Sequence, residues 1–214
     1  MVHDVTVSSF EDHAFTLLVD ALSGVESVEA AQVYVVSLFV YDEDDDPRYP
    51  TVTVGYNTDE RFRETSPAAG QRAGWPIASD AQEARWNYAF WLQNEFAILC
   101  GGERDPQGAA LHRAWIDRLG LWYSDEEEEH DFDAVGHRAD RITDEFVALA
   151  VRVVKRLHSA GVVERAFGRA VPVLIHELEY DEDIVRQNEE ANPPGLIDDF
   201  KHWVLGSAGG AARE

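Results

Sequence analysis

Cysteine, lysine and long apolar runs are all scarce in this chain. A single cysteine, Cys100, means that no intramolecular disulfide can form, so the fold must be held by its core, and the composition points to a reducing, cytoplasmic setting. Lys155 and Lys201 are the only lysines among 18 cationic side chains, and 41 Asp and Glu stand against them, leaving a formal net charge of -23. No basic patch relieves that balance. Phosphates would be repelled, so nucleic acid is not expected as a partner, and neither is an anionic membrane surface. No stretch approaches the roughly 18 apolar residues of a membrane span, and Met1 to Phe10 lacks the basic start of a signal peptide. A phosphate-binding glycine loop, a G-x-S-x-G elbow and a dinucleotide fingerprint are also missing, so neither catalytic residues nor a cofactor are assigned.

The chain does hold abundant core material: 214 residues, 45% hydrophobic and 11% aromatic, with 6 Trp and 10 Phe. That suits one domain over residues 1–206, with 207–214 as a disordered tail. Phe10, Phe15, Leu18, Val19 and Leu22 recur at helical spacing behind a Ser8/Glu11 capping box, predicting a helix over 9–23. Gln32 to Tyr41 is β-branched and aromatic on both alternating sets, as in a central strand, whereas Thr51 to Tyr56 alternates as if one face were solvated. The pair reads as an antiparallel hairpin around the acidic loop Asp42 to Asp46. A short helix is expected near 59–64 and a longer one from Ser79, whose Ser79/Gln82 pattern resembles a cap. Phe96 to Cys100 fits either a helix end or a short strand. Gln107 to Trp122 and Ile142 to Ala160 are amphipathic helices, separated by an acidic run that must be solvated. Val171 to Tyr180 is a third strand, and residues 181–191 and 196–204 close the chain as helices. Strands and helices do not alternate singly, so the expected class is α+β: a small, mainly antiparallel sheet of three or four strands against about six helices.

Four groups of residues invite a chemical reading. In His176-Glu177-Leu178-Glu179-Tyr180, a strand would set Glu177 and Glu179 side by side on the face opposite His176, a pair that could bind a cation or work as acid and base. The fourth residue beyond His176 is Tyr180, so the zinc-protease helix motif is absent. Glu129 to Asp133, with His130, Asp131, His137 and Asp140, is dense in possible metal ligands but has no ligand-set spacing, and it reads more simply as a solvated loop. Cys100 has no activating neighbour in sequence and reads as a buried thiol. Aromatics at Trp86, Tyr88, Phe90 and Trp91 cannot share one helical stripe, so Trp91 is a candidate partner-binding anchor.

The order of a strand pair (Val33 to Thr58), an Arg-Trp helix (Arg85 to Leu92) and a His-Glu-Leu-Glu-Tyr strand (Pro172 to Pro194) resembles a group of small bacterial, often actinobacterial, proteins known as a domain of unknown function. In size and acidity these are similar to immunity proteins that neutralise toxins, and the resemblance implies a binding function without assigning residues. The expected function is therefore an acidic protein-binding module for a basic partner, monomeric or homodimeric, with Asp44, Asp45, Glu126, Glu127, Glu128, Glu177, Glu179 and Trp91 as candidate contacts. One alternative is a metal-dependent hydrolase built on His176, Glu177 and Glu179 or on His130, Asp131 and His137. The other is that the charge reflects salt adaptation alone.

Overall fold

The computed structural model describes residues 4–69 and 76–208. Helices α1 (Asp4–Ser23) and α2 (Ser27–Ala30) precede the hairpin of β1 (Val33–Asp42) and β2 (Pro50–Thr58). Then come α3 (Asp59–Thr65), α4 (Ala81–Trp86) and β3 (Ala97–Leu99), followed by α5 (Pro106–Leu119), α6 (Asp125–His130), α7 (Phe132–Ser159) and α8 (Val162–Phe167). Strand β4 (Val173–His176) and helices α9 (Glu182–Ala191) and α10 (Asp198–Ala208) complete the order. The class is α+β, with one four-stranded sheet in the order β3-β2-β1-β4. The two pairings β1/β2 and β2/β3 are antiparallel, and β4 joins β1 in parallel. Among the described residues there are ten α-helices rather than about six, because α2, α6 and α8 are short segments that periodicity does not reveal.

β1 is central and buried on both faces, as its composition predicts. Val36, Leu38 and Val40 meet Phe10 and Leu18 of α1, Trp115 of α5 and Phe146 and Leu149 of α7 in the larger core. A register shift between Val33 and Val35 turns Tyr34 and Val35 into a second core on the opposite face, with Trp86, Trp91, Leu174, Ile184 and Phe200. The strand therefore separates two cores and must be apolar on both sides.

Several expectations are corrected. The threonine face of β2 is not solvated: Thr51 and Thr53 are buried, with β3 paired along the edge of β2 and the flanking Asn94 and Gly101 set against Gly55 and Thr51. Asn94 Oδ1 accepts the Tyr56 N–H at 2.9 Å, and a Cβ on Gly55 would stand 2.6 Å from the Asn94 carbonyl oxygen, so only glycine fits there. α1 begins at Asp4, which puts Ser8 and Ser9 inside it rather than at its cap. α4 is capped by Asp80, whose carboxylate accepts the Gln82 and Glu83 N–H groups at 2.8 Å, while Ser79 donates to Glu83. That helix stops at Trp86, where Asn87 turns extended (φ -84°, ψ 118°), and a 3-10 turn follows. The break lets Trp86 and Trp91 enter the same core, which one continuous helix could not do. Phe96 to Cys100 resolves as the edge strand β3, and β4 ends at His176 instead of Tyr180. Ser207 and Ala208 belong to α10, and the rest of the expected tail lies outside the described residues.

The free edge of β4 is closed by side chains. Asn188 Oδ1 accepts the Ile175 N–H at 2.8 Å and its Nδ2 donates to the Ile175 carbonyl at 2.7 Å. Asn192 repeats the pattern on Val173, with both bonds 2.9 Å. Four residues of helix advance about 6 Å and two residues of strand about 6.6 Å, so an i, i+4 pair on α9 matches the outward-facing groups of β4. α9 thereby takes the place of a fifth strand and protects the edge.

Candidate functional site

β1 and β4 run in parallel, with Phe39 beside His176, so their C-terminal ends emerge together and carry Asp42 and Glu177. The Asp42 carboxyl is held above its usual range by burial and then by the charges of Glu177, Asp46 and Asp45. Beyond Asp42 a tight turn places Asp44 and Asp45 at φ 57° and 58°, a left-handed conformation that Asp tolerates better than most residues. Asp46 is engaged: Arg48 donates to it through Nε (2.9 Å) and Nη2 (2.6 Å), while Nη1 reaches Asp125 Oδ1 (2.6 Å) and the Tyr123 carbonyl (3.3 Å). The guanidinium also lies 4.9 Å from the Tyr123 ring. Arg48 thus bolts the hairpin to the start of α6.

The acidic run after Ser124 is a helix, not a loop, although it stays exposed. Ser124 and Glu127 form a reciprocal capping box, and Arg138 contacts Glu127 at 3.2 Å. Its hydrogen bond from the Ser124 N–H, then Arg138, holds the Glu127 carboxyl below the ordinary range. Glu127 is accordingly a structural residue, whereas Glu126 is exposed and Glu128 half-buried towards Tyr123. Tyr123 sits among these groups: burial, then the charges of Asp46 and Glu128, push its hydroxyl up to about 12, and Asp42 adds to the effect. Asp42 to Asp46, the start of α6 and Glu177, far apart in sequence, thus meet at one end of the sheet.

Next to that end, the connection from β4 to α9 faces α7 across a groove of about 640 Å3. Glu177, Glu179, Asp181 and Asp183 line one side, and Asp144, Val147, Ala148 and Val151 the other. Asp183 pairs with Arg186 at 2.8 Å, and Asp181 caps α9. Burial, followed by Asp181, raises the Glu177 carboxyl. Because β4 ends at His176, Glu177 and Glu179 are not strand neighbours, yet both reach the groove.

Trp91 is not an anchor. It is buried at 2% exposure and donates Nε1–H to the Arg85 carbonyl at 2.9 Å. The exposed apolar side chains near the acidic end are instead Tyr41, Tyr49 and Leu178, the last 74% exposed. Sequence reasoning missed Arg48, Tyr49 and Leu178 as parts of this end; an isolated Leu between two glutamates was the available signal.

His176 is sealed, at 0% exposure. Its Nδ1–H donates to the Glu177 carbonyl (3.0 Å), and its Nε2 accepts the Ser37 hydroxyl (2.8 Å). Phe39, Tyr88, Trp91 and Tyr180 surround it at ring distances of 5.0 to 5.8 Å. Burial pushes its pKa down to about 4. Both ring nitrogens are engaged, so this imidazole has no lone pair left for a metal. His176→Ala is expected to cost about 2–4 kcal/mol, through the stranded Ser37 hydroxyl and the cavity left among four rings. Urea unfolding measures it, and a loss below 1 kcal/mol would contradict the packing role.

The second candidate metal cluster is dispersed. His130 Nδ1 hydrogen-bonds to the Glu126 carbonyl, Asp131 is the C-cap of α6, and His137 and Asp140 lie along α7. Among the described residues no three His, Cys, Asp or Glu side chains are grouped to hold a metal ion. Cys100 is buried, and burial followed by Asp105 raises its thiol well above the usual range, which disfavours a thiolate. No described helix is long and apolar enough to cross a membrane. No family model, curated protein or solved structure matches the chain.

Proposed function

We propose that the acidic end of the sheet is a docking face for a basic protein, in the manner of an immunity-type inhibitor that covers a cationic surface. The observation that supports this reading is the convergence of Asp42 to Asp46, Asp125 to Glu128 and Glu177 around Tyr123 and Asp42. A charge excess serving only solubility or salt tolerance has no need for an arginine that ties Asp46 to Asp125. Tyr41, Tyr49 and Leu178 supply exposed apolar surface beside the carboxylates, the pairing that gives an interface both anchoring and steering.

The test separates position from total charge. Asp44→Asn, Asp45→Asn, Glu126→Gln and Glu128→Gln together remove four charges, and asparagine keeps the left-handed turn. Glu60→Gln, Glu103→Gln, Glu164→Gln and Asp199→Asn remove the same number from other exposed sites. Against a basic partner identified by genomic neighbourhood and co-purification, the first quartet is expected to slow association about tenfold at low ionic strength and flatten its salt dependence. The second should change it less than about twofold. Equal slowing by both quartets would leave net charge, and not this face, as the cause.

A further inference from the structure

From α7 and the β4–α9 connection we infer that the groove between them is the seat for an extended arginine- or lysine-bearing segment of the basic partner, an inference that rests on the docking face proposed above. Val147, Ala148 and Val151 lie on one stripe of α7 and line the groove with Ile184 of α9; Val151 and Ile184 are buried beneath it, and Val147 and Ala148 stay open at its surface. An apolar helix stripe left open beside a charged rim needs an occupant that is apolar along its stem and charged at its tip. Arginine and lysine are built that way: their methylene stems lie on aliphatic surface while the head reaches outward.

The rim supplies the matching charge. Asp144 stands on the α7 side and Glu177 and Glu179 on the other. The cations of the groove are already committed, Arg152 to Glu11 at 2.9 Å and Arg186 to Asp183 at 2.8 Å, which leaves the rim carboxylates for a guest. An acidic or neutral segment would bring no countercharge to this rim, and a phosphate-bearing partner would be repelled by it. The groove also adjoins the acidic end of the sheet through Glu177, whose charge acts on Asp42, so one partner can engage both.

The experiment uses the full chain and a fluorescein-labelled peptide alternating arginine with alanine, with a glutamate–alanine peptide as control, read by fluorescence polarisation. Ala148→Trp fills the exposed floor without changing charge, and Asp144→Asn with Glu179→Gln removes rim charge without filling it. Each is expected to weaken the arginine peptide about tenfold or more, while Asp44→Asn with Glu126→Gln changes it less than about twofold. Thermal melts verify that the variants fold. If both groove variants bind like the unmodified protein, the groove is not the seat, and the docking face stands on its own test. If the unmodified protein does not prefer the arginine peptide over the glutamate peptide, the groove and the docking face both fail. One-to-one calcium binding that displaces the peptide and vanishes in Asp144→Asn with Glu179→Gln would overturn the inference in favour of a cation site.

Discussion

Asn188→Ala and Asn192→Ala are each expected to lower unfolding free energy by about 2–4 kcal/mol, and the double variant is expected to be unfolded or nearly so. Asn188 is the acceptor for the buried Ile175 N–H, and Asn192 bonds both the N–H and the carbonyl of Val173 while also meeting His158 Nε2 at 3.1 Å. Alanine leaves these backbone groups without water or partner, which costs far more than one average hydrogen bond contributes. Gln187→Ala is the control. Gln187 Nε2 donates at 3.0 Å to the Ile175 carbonyl, which Asn188 also serves, so its loss should cost less than about 1 kcal/mol. Urea unfolding of the three single variants measures the difference. Asparagine variants no less stable than Gln187→Ala would show that α9 does not hold the edge of β4. The destabilised double variant should also aggregate, since it exposes an unpaired strand edge.

Acidification is expected to unfold the protein through its buried histidines. His112 lies among Phe10, Trp115 and Phe146, and burial pushes its pKa down to about 4, as it does for His176. In the unfolded chain both return to about 6.5. Above that pH neither state holds the proton and the full stability is present. As pH falls from 6.5 towards 4 the unfolded state takes up protons that the native state refuses, and stability is lost, by about 3 kcal/mol per histidine once pH passes below 4. His158 shifts in the same direction through burial. Asp42 and Glu177, raised in the fold, and relief of the large negative charge act in the opposite sense, but those carboxyls are partly exposed and solvent screens them. Urea titrations at intervals across this window should show stability falling with proton uptake by the unfolded chain, and His112→Phe should remove its share of the slope. A slope identical in the variant and the unmodified protein would rule out His112 as a titrating group.

Much of the fold was legible because local rules and tertiary demands coincide. From Ile142 onward α7 follows from apolar spacing, although the helix already begins at Phe132, where the charged residues give no such stripe, and β1 follows from a β-branched run whose two apolar faces require two covers. Where a pattern admits two meanings, the sequence misleads. Thr51 and Thr53 alternate like a solvated face because alternation reports which side a residue is on, and not what covers that side. The helix expected from Ser79 ends at Trp86 so that Trp86 and Trp91 can both enter one core, a long-range demand that no local window contains. His176 stood in one alternative as part of a metal site, and its two ring nitrogens, engaged by Ser37 and a main-chain carbonyl, exclude that role.

The sequence by itself determined the charge, the lack of any disulfide, the α+β class and the acidic segments, since each depends on composition or on spacing within one element. Only the tertiary structure decided how those segments relate. Parallel pairing of β4 with β1 brings Glu177 to Asp42, and Arg48 joins Asp46 to Asp125, across separations along the chain that no periodicity spans. The same holds for the edge of β4: two asparagines four apart are unremarkable in a helix, and they become hydrogen-bonding partners of a strand only once packing sets the helix along its edge at matching pitch.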